Sequence, residues 1–532
     1  MAPSPQLSKA VQLFEAGKLD KAEKSFKKLI KNMDDAAHAQ RYLGLIAHQK
    51  GRLVLAQDHF QRACKLAPSN GLFFYELGLV LRLQDKYEAT CKAWDKALTL
   101  QQDPQLYHQL GTVHQQHYNN DLAIKNYQQA LALQSQRIDS LCNLADILEK
   151  RNQLDEATAY IDQALNFQPS HNIASRIKAT ILRRQGKLDA AIDLLLALAE
   201  PEEPIAALNL HFELGQLFDK KQQSTEAYQH FKHANELLSQ NHRLDAEAQQ
   251  YDEQLSALTQ YFTKARQTQW QTLSDNQDQS VFIVGFPRSG TTLTGQILNA
   301  HPNIQVIEEE QLVLSRLEQE IKNIPQGYPQ GLDKLSQAQL AKFQSHYQDY
   351  KLQSTGGHLD PETIGIEKLP LNLVHAGLIH RLYPKAKFIL VIRHPMDVCL
   401  SCFMQAFAPN AAMANFYTLE NSVAFYVKVM NLWQQYVETL DLNVQLIRYE
   451  DLLENVEQST TAVLNFLDLE WDETLRNYNQ QATKQELSTP SYAQVTQPLY
   501  TSARYRWHRY REQLMPFAEQ LRPFCERYGY EL

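Results

Sequence analysis

The chain has 532 residues, a length that exceeds one ordinary hydrophobic core and predicts two or three domains, or a repeat array joined to a globular unit. Hydrophobic residues make up 44% and charged residues 21% of the chain, as in soluble globular proteins, and no apolar stretch is long enough to predict a membrane span. The net charge of −8 argues against general nucleic-acid binding, although it is compatible with a local basic pocket for a small anion.

The N-terminus and the cysteines bear on the compartment. The first residues, MAPSPQLSKAVQLFEAG, lack the apolar segment of a signal peptide and lead directly into an amphipathic helical pattern, so we expect a cytoplasmic location. Six cysteines are scattered along the chain without the density of a disulfide framework, which predicts reduced thiols. Cys399 and Cys402 form C-x-x-C within an apolar helical pattern, and we predict that they pack in the interior rather than bind a metal.

The first half of the chain repeats itself. A small residue recurs at gaps of 34, 33, 34 and 34, and a second small position follows it by nineteen residues. The two series are Gly44, Gly78, Gly111, Ala145 and Ala179, and then Ala63, Ala97, Ala130 and Ala164. Small residues are required where the two helices of a hairpin approach closely. The period resembles that of the tetratricopeptide repeat, and degenerate copies at both ends predict about seven repeats over residues 1–240.

Repeats of this kind present a concave surface, so we expect them to bind a protein or a peptide. An irregular helical bundle would not hold the period so well. The sequence does not identify the partner or the oligomeric state. The following residues, 241–277, have a helical pattern and are predicted to join the repeats to a second domain at 278–532.

The second half changes to short apolar strands that alternate with helical stretches. The strands are VFIVG at 281–285, IQVIEE at 304–309, IGIEK at 364–368, KFILVIR at 387–393 and VQLIRYED at 444–451. Buried strands alternating with helices predict an α/β domain with a mostly parallel sheet. Ligands of such sheets bind at the carboxyl ends of the strands.

The first strand leads into GFPRSGTT, which nearly fits the phosphate-binding pattern G-x-x-x-x-G-K-[ST]. Thr291 stands where that pattern has lysine, and Arg288 lies inside the loop. A helix that begins after the loop would offer free N–H groups to an anion. Because the lysine neutralises the phosphates of metal-bound ATP, its replacement favours a different anionic ligand.

Two longer segments carry a family resemblance: FIVGFPRSGTTLTGQILNAHPNI, followed by three glutamates, and FILVIRHPMDVCLSCF. They resemble the sulfotransferases that use 3′-phosphoadenosine 5′-phosphosulfate (PAPS), and most closely the tyrosylprotein sulfotransferases, over roughly residues 278–530; no motif anchors 320–360. The resemblance implies PAPS as donor, adenosine 3′,5′-bisphosphate (PAP) as product and no metal. It also implies that the loop binds the 5′-phosphosulfate through Pro287, Arg288, Ser289, Gly290, Thr291 and Thr292.

The same resemblance assigns further roles. Arg393 and Ser401 match the family's R-x-x-x-x-x-x-x-S grip on the 3′-phosphate, and Tyr449 and Arg506 match nucleotide contacts. The catalytic group is Glu309 as general base, Lys368 on the bridging oxygen, and Ser491 and Arg288 at the transferred group. A carboxylate base suits a phenol, whose pKa is about 10. Only the family register selects Glu309 among Glu308, Glu309 and Glu310.

Simpler interpretations stay open for single residues. Arg393 is also suited to pair with Asp397, Ser401 to be an ordinary helix residue, and Arg506 to be a surface charge. Considered together with the loop, these residues predict a sulfotransferase that acts on a hydroxyl, preferably tyrosine in a polypeptide. The alternatives are a small-molecule, lipid or carbohydrate acceptor, an ATP-dependent phosphotransferase, and a scaffold without activity.

Overall fold

The computed structural model of the protein describes residues 4–240, 242–263, 280–307, 313–324, 326–354, 360, 362–478 and 504–532. The chain forms two compact units, Met1–Gly186 and Lys187–Leu532. The predicted boundary near residue 240 therefore lies inside the second unit, which begins with the last helices of the repeat pattern. Among the described residues we find no helix that is both long and apolar enough to cross a membrane.

The first unit consists of five helix pairs followed by a single helix, as the repeat pattern predicts. They are α1 (Pro5–Glu15), α2 (Leu19–Leu29), α3 (Ala36–Gln49), α4 (Leu53–Leu66), α5 (Gly71–Leu83), α6 (Tyr87–Leu100), α7 (Pro104–Gln116), α8 (Asn120–Leu133), α9 (Ile138–Lys150), α10 (Leu154–Phe167) and α11 (Asn172–Arg184).

The recurring small residue lets an aromatic ring of the next helix come close. A Cβ added at Gly78 in α5 would lie 2.1 Å from Nε1 of Trp94 in α6. Trp94 is fully buried, and its indole N–H donates to the carbonyl of Tyr75 at 3.0 Å. The period of 34 residues is therefore the period of a helix-to-helix contact, and the tetratricopeptide prediction is confirmed for these hairpins.

The second unit begins with α12 (Leu188–Leu196), α13 (Pro204–Lys220), α14 (Ser224–Ser239) and α15 (His242–Tyr261). Helices α13 and α14 repeat the hairpin contact, since a Cβ at Gly215 would lie 2.8 Å from Cε1 of Phe231. Helix α15 falls in the segment predicted to be a joint, and it is packed into a core: Leu255, Leu258 and the following Phe262 are buried.

A five-stranded sheet forms the centre of the second unit. Its strands are β1 (Val281–Gly285), β2 (Ile304–Ile307), β3 (Ile364–Lys368), β4 (Lys387–Ile392) and β5 (Asn443–Arg448), in the order β2-β3-β1-β4-β5. Every neighbouring pair is parallel, which confirms the predicted α/β domain. The central strand β1 has Ile283 beside Lys368 of β3 on one side and beside Ile389 of β4 on the other.

Helices cover the sheet on both faces. They are α16 (Thr291–Leu298), α17 (Val313–Lys322), α18 (Gln337–Ser354), α19 (Ala376–Leu382), α20 (Pro395–Phe403), α21 (Leu419–Leu440), α22 (Tyr449–Glu454), α23 (Val456–Phe466), α24 (Arg511–Leu514) and α25 (Ala518–Arg527). Alternate residues of β1 enter different cores: Phe282 and Val284 pack in one cluster, and Val281 and Ile283 in another. This alternation explains why the strand is apolar at every position.

The region 320–360, which no motif anchored, supports strand β3. Tyr347 of α18 donates to Oε2 of Glu367 at 2.7 Å, and Asn372 donates to Oε1 at 2.9 Å. Lys351 of the same helix donates to the carbonyl of Gly365 at 2.9 Å. The segment therefore fixes the strand that ends at Lys368.

Candidate functional site

The glycine-containing loop lies between the carboxyl end of β1 and the start of α16. Arg288 has φ 69° and Gly290 has φ 106°, so two of its residues occupy the left-handed region. That conformation is uncommon for a residue with a side chain and is typical of functional loops. A Cβ at Gly290 would lie 2.5 Å from Cδ2 of Tyr449, which leaves room for glycine alone.

The loop contains hydrogen-bond donors that have no side-chain partner among the described residues. No side chain caps the amino end of α16 among the described residues, and Gly290 is its N-cap residue. The hydroxyl Oγ of Ser289, which is 1% exposed, also has no hydrogen-bond partner among them. A buried donor beside a helix N-terminus is suited to an anionic oxygen, as the loop motif predicts.

The structure brings the loop together with the second predicted segment. Nε of Arg288 donates to Oγ of Ser401 in α20 at 3.1 Å, across 113 positions of sequence. A terminal nitrogen of Arg393 lies 3.4 Å from the carbonyl oxygen of Arg288. Two basic side chains and two hydroxyl groups, those of Ser289 and Ser401, thus converge at one edge of the sheet.

The structure also contains the pairing of Arg393 with Asp397 that the sequence left open as the simpler alternative. Its guanidinium lies 3.6 Å from the carboxylate of Asp397, which is 1% exposed. The same carboxylate accepts a hydrogen bond from the backbone N–H of Trp507 at 2.8 Å. Asp397 therefore orients Arg393, as the alternative interpretation expects, and also fixes the chain segment around Trp507, which the sequence did not indicate.

Tyr449 forms one wall of the site. The guanidinium carbon of Arg393 lies 4.9 Å from the centre of its ring. Burial raises the pKa of Tyr449, and the charges of Arg393 and Arg288 oppose that shift. The aromatic wall under an arginine is consistent with the nucleotide contact that the resemblance implies.

Lys368 ends strand β3, next to the loop strand. Its side chain is fully buried, and its Cγ lies 3.7 Å from the Cβ position of Gly295 in α16. The lysine therefore lies beside the helix whose amino end faces the site. The end of β3 thus places a lysine on the same edge of the sheet as the loop that follows β1.

The cysteine pair packs in the interior, as the sequence predicts, and one member touches the loop. Both thiols are free and buried. Sγ of Cys402 lies 3.3 Å from the carbonyl oxygen of Pro287. Burial raises the pKa of Cys402, with the charges of Arg288 and Arg393 acting in the opposite direction, so the thiol acts as a weak donor to the loop.

Of the remaining predicted residues, two lie at the loop, one pairs with the last repeat hairpin, and the others lie outside the described residues. Thr291 and Thr292 begin α16 and are buried at the loop. Arg506 forms an ion pair with Asp219 of α13, at 3.3 Å. Glu309, with its neighbouring glutamates, and Ser491 lie outside the described residues.

Asp219 connects the last repeat hairpin to the segment around Trp507. Its carboxylate accepts from the hydroxyl of Tyr510 at 2.7 Å and lies 3.3 Å from each of the guanidinium groups of Arg506 and Arg509. From α14, Asn235 donates to the carbonyl of Phe403 at the end of α20. These contacts join residues far apart in the sequence, and no local pattern could have indicated them.

Two family models match parts of this chain. The family model described as "Sulfotransferase family" matches residues 280–473, and the tetratricopeptide repeat model matches 7–71, 108–170 and 142–204. A solved structure titled "Crystal structure of MamA" is 20% identical, covers 32% of this chain and 97% of its own, and has a TM-score of 0.29.

Three relatives are similar in sequence to this chain over about half of its length or more. An uncharacterized protein of Aquifex aeolicus is 24% identical over 72% of this chain, and the match spans 50% of that protein's length. A putative protein-tyrosine sulfotransferase of Caenorhabditis briggsae is 26% identical over 48% of this chain and 90% of its own. Protein-tyrosine sulfotransferase 2 of Gallus gallus is 26% identical over 47% of this chain and 69% of its own.

Proposed function

Starting from a chain that joins tetratricopeptide repeats to a sulfotransferase-family domain, we propose that it transfers the sulfuryl group of PAPS to an acceptor hydroxyl, preferably that of tyrosine in a polypeptide. The contact between Arg288 and Ser401 carries the proposal. It joins the loop suited to a 5′-phosphosulfate to the helix suited to a 3′-phosphate, and a donor with two separate anionic groups requires both.

The donor groups of the site fit PAPS. The 5′-phosphosulfate would be held by Arg288, the unpartnered Ser289 hydroxyl and the backbone N–H groups from Gly290 to Thr292, where no described side chain caps the helix. Pro287 contributes the loop backbone that Cys402 supports. The 3′-phosphate would be held by Arg393 and Ser401. A guanidinium suits this task because it offers several donors in a fixed plane.

Tyr449 and Arg506 are the remaining residues that the resemblance assigns to the nucleotide. Tyr449 would line the nucleotide with its ring, which already lies beneath Arg393. Arg506 was predicted to reach the donor directly, and its pairing with Asp219 supports an indirect contribution through Trp507 and Asp397.

The transfer chemistry follows from fixed charges. PAPS supplies an activated sulfuryl group, whose bond to the bridging phosphate oxygen breaks as the acceptor oxygen bonds to sulfur. Lys368 and Arg288 would neutralise the charge that develops on the leaving oxygen and on the transferred group, with Ser491 as a further donor. Glu309 would take the proton from the acceptor hydroxyl.

The acceptor is proposed from two observations. Relatives that match about half of this chain are named protein-tyrosine sulfotransferases, and the repeats of the first half are of a type that binds polypeptides. A glycan, lipid or small phenol stays an alternative acceptor for the same chemistry. ATP as donor is disfavoured because Thr291 replaces the lysine of the ATP-binding loop.

The experiment is transfer from sulfur-35-labelled PAPS to tyrosine peptides, phenols, lipids and glycans, measured for the full chain and for variants. Arg288→Ala should lower turnover by about 10²–10³-fold, the usual cost of removing one fixed transition-state donor. Arg393→Ala should mainly weaken the binding of PAPS and PAP, because this residue is proposed to hold the unreactive 3′-phosphate. Glu309→Ala should abolish transfer while PAP still binds, as measured by calorimetry. Arg62→Ala, which removes an exposed arginine of α4, is the matched control.

The outcomes separate the parts of the proposal. Label on tyrosine peptides that vanishes in Glu309→Ala would support the donor, the acceptor and the base together. Label on a glycan, lipid or phenol would keep the chemistry and replace the acceptor. If PAP does not bind to the folded wild-type chain, the sulfotransferase proposal is wrong; phosphate transfer from ATP with Mg²⁺ would replace it.

A further inference from the structure

A cluster of histidines with one glutamate lies on the last repeat hairpin, outside the transfer site. Glu200 precedes α13, His211 lies on α13, and His230 and His233 lie three residues apart on one face of α14. Glu200, His211 and His233 can each offer one ligand atom, and these three atoms lie within 4.8 Å of one another. We propose that these three residues bind a divalent transition-metal ion, Zn²⁺ in particular.

The distances in the cluster suit a metal. Nε2 of His211 lies 3.1 and 3.2 Å from the two carboxylate oxygens of Glu200. Two ligands that each bind Zn²⁺ at about 2.0–2.2 Å in a tetrahedral site are about 3.3 Å apart. The ring centres of His211 and His233 are 4.3 Å apart, so a small rotation of the half-exposed His233 side chain would complete three ligands.

The fourth histidine can hold His211 in the tautomer that a metal ligand requires. Nδ1 of His211 lies 2.8 Å from Nδ1 of His230, and one ring must donate to the other. When His211 donates from Nδ1 to His230, its Nε2 carries the lone pair that a metal ion between this ring and the Glu200 carboxylate would bind. Metal-bound histidines usually donate their other ring N–H to a neighbouring group in this way.

The ligand types select the ion. Two imidazoles and one carboxylate form a set found around Zn²⁺, with a fourth position left for water. Mg²⁺ and Ca²⁺ prefer oxygen ligands, so they should bind this group poorly. Glu200 and His233 are both about half exposed, which gives an ion in solution direct access.

A metal here would stabilise the hairpin that carries Asp219. His230 stacks on Phe218, with ring centres 5.3 Å apart and planes 7° apart, and Phe218 is the residue before Asp219. Since Glu200 lies outside the hairpin, the ion would also fix the chain segment that enters α13. The proposed role is structural, and the transfer site would bind its donor without this ion taking part.

The test measures binding of ZnSO₄ to the chelator-treated full chain by calorimetry and by metal analysis after gel filtration, with MgCl₂ as the comparison ion. Wild type should bind one equivalent of Zn²⁺ and unfold at a higher temperature with it, because an ion that binds only the folded state stabilises that state. His233→Ala and His211→Gln should weaken Zn²⁺ binding at least about tenfold. His48→Ala, at an exposed histidine of α3, is the matched control.

Circular dichroism and a cooperative thermal transition establish that each variant is folded. The proposal is supported if His233→Ala, the more exposed position, keeps the wild-type fold and loses the Zn²⁺ equivalent that His48→Ala retains. It is overturned if wild type binds no Zn²⁺, or if folded His233→Ala and His211→Gln bind Zn²⁺ as tightly as wild type.

Discussion

Two hairpins of this protein use the same contact for different purposes. In α3 and α4 a Cβ at Gly44 would lie 2.9 Å from Cε1 of Phe60, and in α13 and α14 a Cβ at Gly215 would lie 2.8 Å from Cε1 of Phe231. Both rings are 1% exposed. Phe60 packs in a cluster of repeat residues, whereas Phe231 belongs to a core that also contains Phe282 of strand β1.

The difference shows how the last repeat hairpin, α13 and α14, connects to the proposed donor site. The last hairpin keeps the hairpin contact and adds polar groups that reach the α/β domain: Asp219 to Arg506, and Asn235 to Phe403. Phe403 ends the helix that carries Ser401. We therefore expect matched substitutions in the two hairpins to have similar effects on stability and different effects on donor binding.

The largest effect is expected from the aromatic rings. Phe231→Ala and Phe60→Ala should each lower the free energy of unfolding by about 3–5 kcal/mol, because each leaves a cavity. Only Phe231→Ala should also weaken PAP binding, by about 2- to 30-fold, the range of a coupling free energy of 0.5–2 kcal/mol. Chemical denaturation and calorimetry with PAP measure the two effects. Equal loss of PAP affinity in both folded variants would contradict the comparison.

A smaller effect is expected from the buried carboxylates. Asp219→Asn removes the charge that faces Arg506, and Glu76→Gln removes the charge that accepts two hydrogen bonds from Nε of Arg41, at 2.8 and 2.9 Å. Each variant should be destabilised by about 1–3 kcal/mol because the buried acceptor loses its charge and one of its two oxygens. Thermal unfolding should detect both changes, while PAP titration should detect only Asp219→Asn. An unchanged PAP affinity in Asp219→Asn would show that the contacts of Asp219 with Arg506 do not influence the donor site.

Buried asparagines give a finer comparison. Asn235 donates to the carbonyl of Phe403 in α20, whereas Asn126 donates to Leu122 within its own helix. Asn235→Ala and Asn126→Ala should each cost about 1 kcal/mol of stability through one lost hydrogen bond. We expect a rise in the Michaelis constant for PAPS in Asn235→Ala alone. A matching rise in Asn126→Ala would show that general loosening, and not contact with α20, is responsible.

The smallest effect concerns acid stability of the first hairpins. Hydrogen bonds from Lys27 and Lys50 lower the pKa of Glu23 from 4.5 to about 2. Because the folded chain holds this proton less tightly than the unfolded chain, the stabilisation is present above pH 4.5 and is lost as the pH falls toward 2. Glu23→Gln should flatten the pH dependence of unfolding in that window. If denaturation curves of both proteins change equally with pH, Glu23 makes no such contribution.

The sequence by itself determined the elements whose causes are local. The interval of 34 residues follows from a contact repeated in each hairpin, as Gly78 and Trp94 illustrate. Apolar strands between helices predict a parallel sheet because both faces must be covered. The loop before Thr291 was recognisable because its glycine and hydroxyl residues are consecutive in the chain.

Only the tertiary structure decided which distant side chains meet. Arg288 contacts Ser401 across 113 positions, and Asp219 contacts Arg506 across 287. Asp397 was considered as a simple partner of Arg393, and the structure adds its bond to Trp507. The histidines of α13 and α14 have no spacing that signals a metal, since they meet through helix pairing. Such contacts depend on how whole elements pack, and that arrangement is a property of the folded chain rather than of any short segment.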